Sequence, residues 1–220
     1  MEQEKEVKTY FEVKAKEFDD IYEDSGSLIT RIANRLFRKG MKQRFNITLN
    51  LCNSDKNKSV LDIGCGAGRF TIPLAERGMR VLGTDYSKDM IILAKELLRK
   101  HIIKTGKKIN LEYECSDFIK EFDQKRKFDI VLAIGVFDYL NDPLTFLKKM
   151  NDVAKKRLII SFPKKFTIQM PIRKIWLMTR NCPVYFYSKK DIKELCFNAH
   201  INKYKIINHA AGYILGADLN

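Results

Sequence analysis

Three glycines, Gly64, Gly66 and Gly68, lie in the run Val60-Leu61-Asp62-Ile63-Gly64-Cys65-Gly66-Ala67-Gly68-Arg69-Phe70. A strand-like apolar stretch gives way there to a helical one. Glycine admits positive φ in such a turn, and the missing Cβ lets a ligand approach the backbone closely. About twenty residues further on, Asp85 closes a second apolar run, where a carboxylate accepts hydrogen bonds from both ribose hydroxyls of an adenosine. The chemistry is that of holding a nucleoside. A dinucleotide fingerprint, G-x-G-x-x-G, would need its third glycine where Arg69 stands. The spacing G-x-G-x-G therefore argues against a dinucleotide.

Other chemistry-bearing residues are sparser. No acidic cluster has metal-ligand spacing, so no metal is expected. The five cysteines, Cys52, Cys65, Cys115, Cys182 and Cys196, are odd in number and form no Cys-x-x-Cys pair. That argues against a disulfide framework and a zinc cluster, and for a reducing, cytoplasmic setting. Side chains able to take a proton are Tyr22, Tyr139, Tyr185, Tyr187, His200 and His209; His101 falls late in a surface helix.

Composition limits the class of molecule. The 220 residues are 45% hydrophobic and 31% charged, which is globular and sufficient for one domain with a substantial core. The longest apolar run, Ile130 to Phe137, is too short to span a bilayer, and no apolar stretch follows the N-terminus as in a signal peptide. The net charge of +14 invites a nucleic-acid or anionic-lipid partner. It is uneven, however: residues 1–24 carry −5 and residues 25–220 carry +19. Much of the excess is Lys in a chain crowded with Ile and Asn, a bias that needs no function.

The elements that must position these residues alternate. Val60–Ile63, Val81–Asp85, Ile109–Glu114, Phe128–Ile134 and Leu158–Phe162 read as strands, the last two as runs covered on both faces. Ser87 is a helix N-cap ahead of Met90, Leu93, Ala94, Leu97 and Leu98, and Gly78 ends a helix that starts near Gly68. A helix is expected over about 189–199, then two strands, 203–208 and 212–219, whose short Ala210-Ala211 link allows only an antiparallel pair. Residues 28–45 read as an amphipathic helix, and 1–24 as an acidic helical cap over the ligand edge. The fold class is α/β, a doubly wound sheet with right-handed crossovers.

These residues resemble the class I S-adenosylmethionine-dependent methyltransferases. The glycine run is similar to that family's first motif, and Gly83-Thr84-Asp85-Tyr86-Ser87 to its second. Cys115-Ser116-Asp117-Phe118 resembles the third, and Phe128 to Leu140 the fourth strand with the loop lining the methionine end. The match covers about 55–163. It implies a Rossmann-like seven-stranded sheet, mostly parallel with an antiparallel last strand, and S-adenosylmethionine as cofactor. It also implies cofactor binding by Asp62, Gly64, Gly66, Gly68, Asp85, Tyr86, Met90, Asp117, Phe118 and Ile134. Within a single domain, 1–54 would be the cap, 55–163 the cofactor core, 164–188 a lid and 189–220 the end of the sheet.

The acceptor is narrowed next. Exocyclic-amine methylases of DNA and RNA resemble one another in an Asn/Asp-Pro-Pro-Tyr/Phe loop, where this chain has Val136-Phe137-Asp138-Tyr139. Cytosine-C5 enzymes need a nucleophilic Cys, and Cys65 and Cys182 read instead as structural. The flanks, Phe18–Tyr22, Phe37–Gly40 and Arg157–Pro163, resemble magnesium-protoporphyrin O-methyltransferases, with Tyr139 standing where that family typically has a His. The expected enzyme moves a methyl group to an oxygen of a small acceptor carrying a carboxylate or phosphate. The family layout places Tyr22 and Tyr139 near the methyl group as catalytic candidates. Residues 164–188 alternate basic and apolar side chains, an amphipathic pattern suited to a lid. Arg38, Arg173 and Tyr185 are the acceptor-binding candidates, in a monomer or homodimer. The alternatives are an RNA methyltransferase and a cofactor-binding protein without catalysis.

Overall fold

A computed structural model of the chain describes residues 28–52, 56–165, 184–210 and 212–219, with the side chains of the helix that opens at Leu28 described from residue 39 onward. The acidic cap at 1–24, Tyr22, Arg173, Cys182 and most of the 164–188 lid lie outside the described residues, as does the side chain of Arg38.

The described residues open with helix α1 (Leu28–Leu51), followed by β1 (Ser59–Ile63), α2 (Thr71–Glu76), β2 (Arg80–Asp85), α3 (Lys88–Thr105) and β3 (Leu111–Cys115). After these come β4 (Phe128–Ala133), a single 3₁₀ turn at Phe137–Tyr139, α4 (Pro143–Val153), β5 (Ala154–Pro163), α5 (Lys189–Asn198), β6 (Tyr204–His209) and β7 (Gly212–Asp218). The sheet has seven strands in the order β3-β2-β1-β4-β5-β7-β6. Every pairing is parallel except those of β7, which runs antiparallel to both β5 and β6. The doubly wound sheet with an antiparallel last strand is thus present. Among the described residues no helix is long and apolar enough to cross a membrane.

Period-two alternation explains why both faces are covered. Leu61, Leu82, Val131, Leu158 and Leu215 bury on one face, with Phe146, Leu147 and Met150 of α4 and Ile192 of α5. Their neighbours Val60, Val81, Leu132, Ile159 and Ile214 bury on the other, with Leu49 of α1, Leu74 of α2 and Ile91 and Ala94 of α3. Helix α1 runs six residues beyond the expected 45. Its last turns carry Leu49 into that core, and Leu51 packs 3.2 Å from where a Cβ would stand on Gly216.

Helix ends follow local chemistry. Ser87 Oγ accepts the Met90 N–H ahead of α3, and Gly106 closes the helix at φ +67, its N–H donating to Ile102 O. Asp142 caps α4 with Pro143 in its first turn. Ser188 and Asp191 make a reciprocal capping box on α5. The order reverses between β1 and β4, the switch point where ligands bind at the strands' carboxyl ends.

Candidate active site

The glycine loop leaves β1 at that switch point. Gly64, Gly66 and Gly68 have φ of +67, +53 and +88, which only glycine adopts without strain. Gly64 and Cys65 both donate their N–H to Thr84 O, at 2.8 and 3.1 Å, which fastens the loop to β2. A Cβ on Gly64 would stand 2.5 Å from Val136 Cγ2, while one on Gly66 would meet nothing within 4 Å. The first glycine is needed for packing, and the second leaves open space beside the backbone.

Asp85 ends β2 against this loop. Its Oδ2 accepts the Gly66 N–H and its Oδ1 the Ser87 N–H, each at 2.9 Å. Burial raises its pKa, and the two backbone N–H groups hold the rise back. Asp62, on β1, is 1% exposed and its Oδ2 has no hydrogen-bond partner. Burial first, then the charge of Asp85, push its pKa up to about 8. An orphaned buried carboxyl oxygen beside a second carboxylate favours a cationic group there.

Tyr113, which the sequence did not single out, supports the loop from below. Across the β2–β3 pairing it stands opposite Gly83, and a Cβ on Gly83 would lie 2.8 Å from its ring. A Cβ on Gly68 would collide with its hydroxyl. Tyr113 Oη lies 2.6 Å from Thr71 Oγ1, which donates to the Gly68 carbonyl. Two glycines on different elements thus make room for one buried phenol. The signal lay in that pairing across strands, which sequence spacing does not reveal.

The other described candidates follow β2, β3 and β4 at the same edge. Tyr86 follows Asp85, and Met90 is buried in the first turn of α3. Asp117 Oδ1 accepts the N–H groups of Ile119 and Lys120, so this carboxylate organises its own turn. The Phe118 ring is 5% exposed and packs on Phe122 and Phe146, with Lys149 Nζ 5.3 Å from its centre. Ile134 is buried just after β4. Gly135, at φ +82, donates its N–H to Ser161 Oγ, and Arg44 Nη1 lies 3.7 Å from where its Cβ would be. Tyr139 sits in the 3₁₀ turn. Tyr185 is brought to the same loop: its N–H donates to Asp138 O and its hydroxyl to Asn141 Oδ1. Tyr187 Oη donates to Phe137 O, a buried structural bond.

Known methyltransferases are similar to this chain. A methyltransferase domain family matches residues 54–209. A ubiquinone biosynthesis O-methyltransferase of Pelagibacter ubique is 34% identical over 105 residues, 48% of this chain and 41% of that protein. One from Bradyrhizobium diazoefficiens is 40% identical over 96 residues, 44% of this chain and 35% of that protein. The chain therefore spans less than half the length of these relatives. Among solved structures, magnesium protoporphyrin IX methyltransferase of Synechocystis PCC 6803, with bound SAH, superposes at a TM-score of 0.73 and 21% identity. That match covers 97% of this chain and 98% of that one, a likeness of fold. With the matched region running from ahead of β1 through β6, the chain belongs to the methyltransferase domain family.

Proposed function

We propose that this chain transfers the methyl group of S-adenosylmethionine to an oxygen of a small, anionic acceptor. The carrying observation is Asp85, whose carboxylate oxygens each accept one backbone N–H at the mouth of the glycine loop and keep lone pairs for ribose hydroxyls. The residues present fit the cofactor. Gly66 leaves space at its backbone, and the orphaned Asp62 Oδ2 suits the ammonium of an amino-acid moiety. Bound there, the cofactor supplies an activated methyl on a sulfonium.

Gly64 and Gly68 shape the loop, while Tyr86, Met90, Asp117, Phe118 and Ile134 border the nucleoside and methionine ends. The chain's own contribution is to fix the acceptor oxygen in line with the methyl and to exclude water, since positioning accounts for much of the rate. Tyr139 and Tyr22 would wall the methyl or take the acceptor's proton. Tyr185, Arg38 and Arg173 would meet the acceptor. The naming of the relatives as O-methyltransferases supports oxygen as the methylated atom. A cytoplasmic enzyme, monomeric or homodimeric, is the matching setting.

Calorimetry tests this. The wild-type chain is expected to bind S-adenosylmethionine, with affinity falling roughly tenfold or more in Asp85→Ala as charge-assisted bonds are lost. A folded wild-type chain that binds no cofactor overturns the proposal.

A further inference from the structure

The two ends of the glycine loop are fastened by different means. At the first, Gly64 and Cys65 donate their N–H groups to Thr84 O, backbone bonds that do not depend on side chains. The far end does depend on them. Gly68 O accepts the Thr71 hydroxyl at 3.1 Å and the Ile72 N–H at 3.3 Å. Thr71 Oγ1 has one proton and gives it to Gly68 O, so the Tyr113 hydroxyl, 2.6 Å away, is the donor to Thr71. Two hydroxyls in series thus run from β3, through the first residue of α2, to the third glycine. Both residues are buried, where a lost partner is costly to replace.

The space around this pair suits the hydroxyl as well as the ring. A Cβ on Gly83 would lie 2.8 Å from Tyr113 Cδ1 and Cε1, whereas the first atom that a Cβ on Gly68 would strike is Oη. Burial pushes the Tyr113 phenol above its ordinary range, which keeps the proton on the donor. What the relay holds is a closed turn. Gly68 donates its N–H to Cys65 O at 3.0 Å. Between those two residues, Gly66 gives its N–H to Asp85 Oδ2 and leaves open space beside its backbone. A shift of the Gly68 peptide therefore shifts the Gly66 backbone relative to Asp85.

We propose that Tyr113 and Thr71 are positioning residues for cofactor binding: their hydroxyls fix the far end of the glycine loop and so set Gly66 against Asp85 at the spacing that a bound nucleoside requires. Naming that ligand S-adenosylmethionine rests on the methyltransferase reading; the hold of the relay on the loop does not. Both residues act through the Gly68 carbonyl rather than by contact with the ligand. Their removal should therefore be felt in affinity, beyond what loss of packing produces in stability.

The test titrates the full chain with S-adenosylhomocysteine by calorimetry and unfolds the same proteins in urea. Thr71→Val is expected to weaken binding roughly fivefold or more, while Thr71→Ser, which keeps the hydroxyl, stays within about twofold of wild type. Tyr113→Phe should cost roughly threefold, since Thr71 then loses the partner that fixes its rotamer. Tyr204→Phe, on the opposite edge strand β6, should leave affinity unchanged. The double variant separates positioning from packing. Thr71→Val strands a buried phenol without an acceptor, and adding Tyr113→Phe removes that orphan, so stability should recover in part. Affinity should not, because the Gly68 carbonyl still lacks its hydroxyl. Affinity that recovers together with stability overturns the inference, as does wild-type affinity in both single variants or an equal loss in Tyr204→Phe. Amide exchange at Gly66 and Gly68, followed without ligand, should quicken in Thr71→Val and Tyr113→Phe and not in Thr71→Ser. Exchange that is the same in every variant also overturns it. Should Thr71→Val not fold, Tyr113→Phe against Thr71→Ser decides by the same two readouts. A wild type that binds no S-adenosylhomocysteine, with exchange responding as expected, would count against the cofactor reading alone.

Discussion

Asp62 carries a pH dependence that its neighbours impose. Burial and the Asp85 charge move its pKa from 3.8 up to about 8. Below 3.8 the carboxyl is protonated in the folded and unfolded chain alike. Between the two values the unfolded chain has released the proton and the folded chain retains it. The stability contributed by the raised pKa is therefore complete at low pH and is lost as pH rises to about 8. Asp62→Asn removes the titration. Urea unfolding from about pH 4.5 to about pH 8.5 should show the wild type losing stability relative to the variant. Parallel curves for the two proteins would refute the assignment. At this scale the two carboxylates were legible, because an acid two residues before the first glycine and another closing the next strand are matters of spacing. Tyr113 was not, since its place under the loop arises from strand pairing opposite Gly83.

Helix α3 shows an element tied to the site it adjoins. Ser87 does two things: its hydroxyl caps the helix by accepting the Met90 N–H, and its own N–H holds Asp85 Oδ1. Only the first depends on the side chain. Ser87→Ala should cost about 1 kcal/mol in chemical denaturation while leaving cofactor affinity almost unchanged. A loss of affinity with no loss of stability would mean that the hydroxyl, and not the backbone, serves the site. The strand centres could be read from apolar runs, but their ends could not. Only Leu158–Phe162 of β5 is predominantly apolar, broken by Ser161, yet the strand begins at Ala154, directly after α4. Its polar first half is held by pairing with β4 and by Arg157, which binds Asp218 on β7 and the Leu51 carbonyl of α1. Such partners distant in sequence also hold the last turns of α1 beyond the expected 45, where Leu49 is buried and Leu51 O accepts from Arg157.

The net charge of +14 acts on the whole molecule rather than on one site. At the amino edge of the sheet Lys58, Lys156, Arg157 and Lys203 line a cavity of about 340 Å³ with Asp218. Two of these cations are paired, Arg157 with Asp218 at 2.7 Å and Lys156 with Asp129 at 3.1 Å. At the carboxyl edge Arg44, Lys164 and Lys189 add further positive charge near Gly135 and His209. Acids are gathered at Asp62 and Asp85, where burial raises the pKa of each. Positive groups thus repel one another across both edges. Surface ion pairs such as Lys100–Glu96 return little, because exposed pairs contribute at most about 1 kcal/mol. Self-repulsion of this kind is long-ranged and is screened by salt, whereas hydrophobic burial in the two core layers is not. Raising sodium chloride from about 20 to about 300 mM, which shortens the screening length to below about 10 Å, should therefore raise the melting temperature by several degrees. A melting temperature that falls with salt would mean that specific ion pairs outweigh the repulsion, and that the surplus charge is already balanced in the folded chain.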